Sequence, residues 1–349
     1  MAHYIDTFPG REIVVNNKKH LYFGGTAYLG LQTDEVFQQL FIENIIKYGT
    51  SYSASRKSNI RLSIFNKAEA HLTSLVECES CMTLSSGYLA GQLISRYFYT
   101  SEHALFYAPN AHSALLQSNN TSFNTYASLN SAVRVHLASK NSTPVVLLDS
   151  IDFSGTNYPD FKALTSLPLD KIILVVDDSH GIGIVGENGK GVFKKLLALC
   201  PKELIVCCSL GKGFGIQAGA IFGTKERIKI FKNTPLFGGA SPATPAGIAT
   251  LLSSDKIYAE KRKVLFQNLN LFIENLNPIA SFTFMESHPT FSYSNDGLTK
   301  HLEAKKILVT NFNYPSEETS LMSRIVLSAA HQHQDIKRVT TCINSFLSV

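Results

Sequence analysis

The sequence predicts an α/β protein with a wide, mostly parallel sheet in a large domain and a smaller α+β domain toward its C-terminus. Three observations predict this fold class. The chain has 349 residues, more than the ~100–200 of one typical domain. From about residue 60, short apolar runs alternate with helical patterns, which is typical of buried parallel strands joined by crossover helices. After Pro235 the pattern changes to long helices and short strands.

The predicted domain boundaries follow these changes in pattern. Residues 1–45 form an N-terminal segment, residues 46–235 the large domain and residues 236–349 the small domain. Hydrophobic residues make up 44% of the chain and charged residues 17%. A disordered chain needs the opposite balance, so this composition indicates a folded protein with a sizeable core.

Hydrophobic periodicity predicts the elements of the large domain. Ser63–Val76 carries apolar residues at helical spacing, and Gly87–Phe98 is predicted as a helix after a Ser-Ser-Gly turn. The predicted strands are Cys81–Leu84, Ala104–Tyr107, Ala132–His136, Val145–Asp149, Ile172–Asp177, Leu204–Ser209 and Ala218–Gly223.

The small domain is predicted from longer helical patterns. Its helices are Pro242–Leu252, Lys256–Leu276 and a closing helix at Gln334–Leu347. Short strands are predicted near Ser281–Met285 and at Arg324–Ser328.

Charge and hydropathy exclude several classes of protein. The net charge is +5, but lysine and arginine are scattered, which argues against a nucleic-acid partner. No apolar run approaches the ~18 residues of a membrane span. The segment Met1–Arg11 lacks the pattern of a signal peptide, so we expect a cytoplasmic protein without a membrane partner.

The six cysteines show no regular disulfide framework. Cys78 and Cys81 form a lone CxxC. A zinc site would need a second pair at suitable spacing, so we expect no metal.

The segment Ser209–Gly215 places Lys212 between glycines after a predicted strand. Lys212 is either an exposed loop lysine or a lysine held in a pocket. Desolvation in a pocket lowers the pKa of a lysine, which is the condition for a nucleophile that forms a Schiff base.

The segment Asp177–Gly181 follows a buried strand, where open α/β sheets place ligand-binding residues. A carboxylate here could keep a pyridine nitrogen protonated, as pyridoxal phosphate requires. Alternatively, either aspartate caps a helix, and His180 is structural. In the segment Ser85–Tyr88, backbone amides at a helix start could bind phosphate, although an ordinary cap explains it equally well.

Taken together, the order and spacing of these motifs resemble the α-oxoamine synthases, fold type I pyridoxal phosphate enzymes that condense an amino acid with an acyl-CoA. The resemblance extends over nearly the whole chain. It is carried by Tyr28–Leu31, Ser85–Tyr88, His112-Ser113, Asp177–Gly191, Ser209–Gly215 and Arg324–His331.

The resemblance implies pyridoxal phosphate as the cofactor and a role for each matching residue. Lys212 would bind the cofactor, Asp177 its pyridine nitrogen and His180 the surroundings of its phenolic oxygen, while His112 would stack on the ring. These four residues are the expected catalytic set. The other expected cofactor ligands are Ser86, Gly87, Tyr88, Ser154 and Ser209. Arg324 would bind the substrate carboxylate, and Thr26 stands where the family usually has a substrate-binding asparagine.

The resemblance also implies an activity and an assembly. The expected reaction is a decarboxylative condensation that yields an α-amino ketone, with alanine and the pimeloyl thioester of biotin synthesis as first choice. Alternatives are another member of the family (a 2-amino-3-ketobutyrate ligase or a serine palmitoyltransferase-like enzyme), an aminotransferase, and a non-catalytic paralogue. The paralogue is considered because the chain departs from the family at Thr26 and Gly239. A homodimer is expected, with Phe237–Pro242 near the partner's cofactor.

Overall fold

The computed structural model describes residues 3–100, 102–117, 121–153, 155, 157–314, 317–319 and 321–348. The chain forms two compact units. The large unit comprises Gln39–Asp152 and Thr156–Asp255, and the small unit comprises Met1–Gln38, Phe153–Gly155 and Lys256–Val349.

Strands and helices alternate through most of the chain. The strands in the described residues are β1 Glu12–Val15, β2 Lys18–Phe23, β3 Ser80–Leu84, β4 His103–Tyr107, β5 Thr143–Asp149, β6 Ile173–Asp177, β7 Glu203–Ser209, β8 Gly219–Gly223, β9 Thr283–Phe284, β10 Thr290–Tyr293, β11 Ile307–Asn313 and β12 Leu321–Val326. The α-helices are α1 Glu35–Tyr48, α2 Ser63–Val76, α3 Gly87–Phe98, α4 Tyr126–Ser139, α5 Phe193–Leu197, α6 Leu210–Gly213, α7 Lys225–Lys232, α8 Pro235–Gly239, α9 Pro245–Ser253, α10 Asp255–Asn275, α11 Asp296–Ala304 and α12 His333–Leu347.

The sheet of the large unit has the strand order β3-β8-β7-β6-β5-β4. Strands β4 to β7 pair in parallel, and β8 pairs antiparallel with both of its neighbours. All five residues of β6 are buried, as expected for a strand covered on both faces. The predicted wide, mostly parallel sheet is therefore confirmed.

The register of this sheet aligns the strand ends at one edge. Asp149, the last residue of β5, lies opposite Asp177, the last residue of β6. Asp177 in turn lies opposite Cys207 of β7. Because parallel sheets of this kind bind ligands at the carboxyl ends of their strands, a ligand-binding site is expected at this edge.

The strand prediction for Ala132–His136 is wrong, because these residues lie inside helix α4. Thr125 caps the helix, and its side chain accepts a hydrogen bond from Ser128 N at 3.1 Å. Leu129 and Val133 are buried one turn apart. The short apolar run is therefore one stripe of an amphipathic helix rather than a strand.

The other predicted elements of the large domain lie where they were expected. Helices α2 and α3 have the predicted bounds. The bounds of the six other predicted strands, now β3 to β8, differ from the predicted bounds by one or two residues.

The small unit contains a mixed sheet with the order β1-β2-β11-β12-β10-β9, in which β2 and β11 pair in parallel. The hydrophobic pattern of the sequence predicts none of the strands β1, β2, β10 and β11. Strand β2 begins with two exposed lysines and buries only two of its six residues, so its hydrophobic pattern is weak.

The two units divide the chain at positions other than the predicted boundaries. The chain passes from the small unit to the large unit after Gln38 and returns after Asp255, and the short segment Phe153–Gly155 also belongs to the small unit. Helix α9 belongs to the large unit, where it packs against α2. Strands β1 and β2 pair within the small unit's sheet.

Within the described part of the chain, no helix is long and apolar enough to cross a bilayer.

Candidate active site

Lys212 lies on α6, directly after β7, at the carboxyl edge of the large unit's sheet. Ser209 begins this turn, and its side chain accepts a hydrogen bond from Gly211 N at 3.3 Å. The Lys212 Nζ lies 2.7 Å from His180 Nε2. The fold therefore places a half-buried amine in hydrogen-bond contact with an imidazole that is 32 residues distant in the sequence.

Two glycines allow the loops of Lys212 and His180 to touch. A Cβ on Gly213 would lie 2.2 Å from the carbonyl oxygen of Ile182. Gly183 has a φ of +81°, and its Cβ would lie 2.9 Å from the Cα of Gly213. Since the two backbones are in contact, any larger residue at Gly213 or Gly183 would separate Lys212 from His180.

Asp177 and Asp178 have different surroundings. Asp177 is 6% exposed, and its Oδ1 accepts a hydrogen bond from Ser179 N at 2.8 Å. The Ser179 Oγ accepts from Ser209 N at 2.8 Å and so ties the end of β6 to the end of β7.

Asp178 is a structural carboxylate. Its Oδ1 accepts from Ser150 Oγ at 2.6 Å and its Oδ2 from Val192 N at 3.1 Å. A Cβ on Gly181 or Gly191 would lie about 2 Å from its oxygens. Burial raises the pKa of Asp178 to about 7. Two glycines of the motif Asp177–Gly191 therefore lie against Asp178, and Asp177 is the candidate carboxylate for a ligand.

His112 is held as a neutral imidazole near Asp177. Burial lowers its pKa, and the negative charge of Asp177 opposes this only in part. His112 Nδ1 accepts a hydrogen bond from Ala114 N at 3.1 Å. This contact assigns the ring proton to Nε2. A neutral, half-buried imidazole can stack on an aromatic ring and exclude water from it.

Asp149 is a further candidate site residue that the sequence does not predict. Its Oδ1 accepts a hydrogen bond from the backbone N of His112 at 3.2 Å. Burial raises the pKa of Asp149 well above its usual range, and the charge of Asp177 adds to the effect. Its position at the end of a buried strand, equivalent to that of Asp177, is the signal that could have identified it.

A narrow cradle lies at the start of α3. The Ser86 Oγ accepts a hydrogen bond from Leu89 N at 3.1 Å, while the first-turn amides of a helix have no partner within the helix. A Cβ on Gly87 would lie 2.6 Å from Ser209 N. Ser209 therefore lies against the start of the helix. Tyr88, on the first turn of α3, is 55% exposed. Amides and a hydroxyl at a helix N-terminus form a good phosphate site.

Arg324, in the small unit, is a half-buried cation. Its guanidinium carbon lies 3.7 Å from the centroid of the Phe153 ring, and burial lowers its pKa. Among the described residues, no carboxylate pairs with Arg324. Since a buried charge is costly unless it is paired, this guanidinium is suited to an anionic ligand.

The motifs Tyr28–Leu31 and Arg324–His331, from opposite ends of the chain, pack together in the small unit. Ala329 N donates to Tyr28 O at 2.8 Å, and Ser328 Oγ donates to Ala27 O at 2.9 Å. Gly30 has a φ of +62°, and its Cβ would lie 2.8 Å from that of Ala330. Thr26 lies exposed at the start of this turn. Ser154 lies outside the described residues.

The residues of the large unit fit pyridoxal phosphate. The cradle at Gly87 and Ser209 suits the phosphate, the buried Asp177 suits a protonated ring nitrogen, and the Lys212 amine suits the aldehyde. The large unit contains all of the predicted cofactor residues that the structure describes. The predicted substrate residues, Arg324 and Thr26, belong to the small unit.

Two solved structures with the same architecture are distant from this chain in sequence. Serine palmitoyltransferase of Sphingomonas wittichii superposes with a TM-score of 0.83 at 16% identity, covering 99% of this chain and 91% of that one. The 8-amino-7-oxononanoate synthase of Francisella tularensis superposes with a TM-score of 0.72 at 17% identity, covering 94% and 98%. No protein-family model matches the chain.

The fold is that of the fold type I pyridoxal phosphate enzymes. In sequence, the chain is 25% identical over 354 residues to the 8-amino-7-oxononanoate synthase of Buchnera aphidicola, covering 95% of this chain and 90% of the relative. These similarities support the resemblance to the α-oxoamine synthase family.

Proposed function

We propose that this protein is a pyridoxal phosphate-dependent acyltransferase that condenses an amino acid with an acyl-CoA thioester. Carbon dioxide and coenzyme A are released, and the product is an α-amino ketone. An 8-amino-7-oxononanoate synthase activity, with alanine and a pimeloyl thioester in biotin synthesis, is the first choice. Relatives of that name align with more than nine-tenths of the chain. The observation that carries the proposal is the 2.7 Å contact of Lys212 with His180 at the same sheet edge as Asp177.

When bound, the cofactor supplies an electron sink for the substrate's Cα. Asp177 keeps the proton on the pyridine nitrogen, because a buried carboxylate strongly favours a cation beside it. His112 covers one face of the ring and excludes water from it. His180 lies beside Lys212 and would contact the cofactor's phenolic oxygen.

The phosphate is held at the start of α3. The amides of Gly87 and Tyr88 donate to it, and the helix dipole favours its negative charge. The hydroxyls of Ser86 and Ser209 border the same cradle. Ser154 is proposed to contact the phenolic oxygen.

Lys212 has two tasks in this proposal. Its Nζ would hold the cofactor covalently, and its free amine would accept the Cα proton of the bound amino acid. Arg324 binds the amino acid's carboxylate with two parallel hydrogen bonds, since a guanidinium matches that geometry. Thr26 contacts the same carboxylate.

Another member of the family is the second candidate, either a 2-amino-3-ketobutyrate CoA ligase or a serine palmitoyltransferase-like enzyme. The observation that favours it is Thr26, which stands where the family usually has an asparagine that holds the substrate. A different residue at this position is expected to change which amino acid is accepted.

The protein is proposed to act as a homodimer in the cytoplasm. A closed two-fold dimer is the commonest assembly of soluble proteins. The proposed compartment agrees with six cysteines that are all free thiols.

The test is an assay of the purified protein with cofactor, a panel of amino acids and a panel of acyl-CoA thioesters, with product identified by mass spectrometry. Alanine with pimeloyl-CoA should give 8-amino-7-oxononanoate and carbon dioxide in equal amounts. Borohydride reduction followed by peptide mapping should place the pyridoxyl group on Lys212, and Lys212→Ala should abolish turnover. A label on another lysine, or release of keto acid without condensation, would overturn the proposal.

A further inference from the structure

Phe153 has a backbone conformation that is unusual for an aromatic residue. Its φ is +55°, in the left-handed region that is costly for a bulky side chain. Phe153 belongs to the small unit, although Asp152, the residue before it, belongs to the large unit. A conformation of this kind persists only where the surroundings enforce it, and such outliers cluster at ligand sites. The contacts of the Phe153 side chain are therefore candidates for a functional role.

The ring of Phe153 lies against the guanidinium of Arg324. The guanidinium carbon is 3.7 Å from the ring centroid, a distance that places the cation over the face of the ring. The ring quadrupole attracts a cation in this position, and the attraction is stronger where water is excluded. Because Arg324 is half-buried, water screens this contact only in part.

The stack restricts a side chain that the sheet alone does not fix. The backbone of Arg324 lies in β12, opposite Ser292 of β10 and Thr310 of β11. An arginine side chain nevertheless loses much rotamer freedom when it is immobilised, and a ligand that binds a mobile side chain must offset that loss. The ring of Phe153 orders the guanidinium before a ligand arrives.

Buried aromatic residues hold the Phe153 ring in turn. Its centroid lies 5.7 Å from that of the His288 ring, with an angle of 76° between the two planes. The His288 ring meets the Tyr28 ring edge-on at 5.4 Å, and both of these residues are fully buried. Since edge-to-face pairs have a preferred geometry, the Phe153 ring is a rigid support for the guanidinium.

The stack leaves the hydrogen-bond donors of Arg324 available to a ligand. The N–H groups of a guanidinium lie in its plane, whereas the Phe153 ring covers its face. In the part of the chain that the structure describes, no carboxylate pairs with Arg324. A carboxylate can therefore bind along the edge of the guanidinium with two parallel hydrogen bonds while the ring stays on the face.

We propose that Phe153 is a positioning residue for the substrate carboxylate, which it serves by holding the Arg324 guanidinium in the orientation that a carboxylate requires. The inference rests on the proposed function, in which Arg324 binds the carboxylate of the amino acid. It adds a residue that sets the strength of that binding. Phe153 acts through Arg324 and takes no part in the proton transfer at Lys212.

A titration tests this role without requiring condensation. Alanine, glycine and serine are added to the assembled, cofactor-loaded protein, and binding is followed by the visible absorption band of the cofactor. The matching amines that lack the carboxylate (ethylamine, methylamine and ethanolamine) are titrated in the same way. Phe153→Leu should raise the dissociation constants of the amino acids about fivefold, because the contact between cation and ring is lost. It should leave those of the amines unchanged.

Two further variants are the controls. Phe153→Tyr retains an aromatic face, so it should bind the amino acids like the unchanged protein. Phe346→Leu removes another half-buried ring of the small unit, one that contacts the ring of His301. This variant should also leave amino-acid binding unchanged.

A double-variant cycle separates positioning from a general structural effect. Arg324→Gln removes the guanidinium, and Phe153→Leu should then have no further effect on amino-acid binding, because the ring acts through that group. In kinetics, Phe153→Leu alone should raise the KM for the amino acid about fivefold. The kcat and the KM for the thioester should stay unchanged.

Four outcomes would overturn the inference: unchanged amino-acid binding in Phe153→Leu, an equal loss for amino acids and amines, an equal loss in Phe153→Tyr, and additive losses in the double variant. If condensation occurs and Phe153→Leu binds the amino acid normally, the proposed function stands and the inference is wrong. If no thioester is condensed but the loss that depends on Arg324 is still observed, the positioning role is supported and the proposed function is wrong. If no amino acid binds to the unchanged protein, both are wrong.

Discussion

Replacing Gly87 with alanine tests the phosphate cradle directly. The new Cβ would lie 2.6–2.7 Å from three atoms of Ser209, whereas ordinary contact begins at 3.4 Å. The helix start and the end of β7 must therefore separate by about 0.8 Å. Two of the three atoms belong to the backbone, so a side-chain rotation cannot relieve the contact. Overpacking of this kind costs about 1–3 kcal/mol, and the better helix propensity of alanine returns at most about 1 kcal/mol.

We expect the remaining cost, about 1 kcal/mol when a mid-range overpacking cost is reduced by the gain in helix propensity, to fall largely on phosphate binding. The dissociation constant for pyridoxal phosphate should rise about fivefold. It is measured by titrating cofactor-free protein and following the visible absorption band. Gly223→Ala is the control, because its Cβ would meet only Leu204 O, at 3.6 Å. An unchanged dissociation constant for Gly87→Ala, with only the melting temperature of cofactor-free protein lowered, would refute the cradle assignment.

Three further predictions follow from the two units. Asp177→Asn should retain pyridoxal phosphate but lose at least about 100-fold in kcat, since an amide cannot hold the ring nitrogen's proton; activity near that of the unchanged protein would move the role to another carboxylate. Arg324→Lys should raise the KM for the amino acid about tenfold with the cofactor's absorption spectrum unchanged, because a lysine cannot form the two parallel hydrogen bonds; an unchanged KM would place the carboxylate site elsewhere. Burial lowers the pKa of His331 to about 4 from its usual 6.5, so the unfolded chain binds the proton first as the pH falls. The free energy of unfolding should then decrease by about 3 kcal/mol between pH 7 and pH 4 through this group. His331→Gln should remove that part of the decrease in denaturant titrations, and an identical pH dependence in both proteins would contradict it.

Much of the large unit could be predicted from local sequence. Strand β6 is buried along its whole length, and a strand covered on both faces must be a continuous apolar run that the sequence displays. Helices α2 and α3 were predicted with their observed bounds because one side of each packs on the core, which produces a regular helical period. The motifs at Asp177 and Lys212 were visible for a similar reason, since both follow such strands.

The misassigned segments lack such local signals. The run at Ala132–His136 fits a short strand, and only the capping by Thr125 and the burial of Leu129 show that it is helical. Strand β2 buries two side chains of six, so its pattern is weak. Its pairing with β11, from the other end of the chain, defines it as a strand.

By itself, the sequence determined the strands of the large unit's sheet and the helices α2 and α3. Through the resemblance, it also identified the residues proposed to hold the cofactor. Tertiary structure alone decided which of these residues meet. The contact of Lys212 with His180 depends on backbone contact between Gly213 and Gly183. The separate roles of Asp177 and Asp178 depend on which of them Gly181 and Gly191 enclose, and the recruitment of Asp149 depends on strand register. Such contacts join residues that are far apart in the chain. Their distances depend on how the strands align and on how closely the loops approach each other, and the local composition of the chain determines neither.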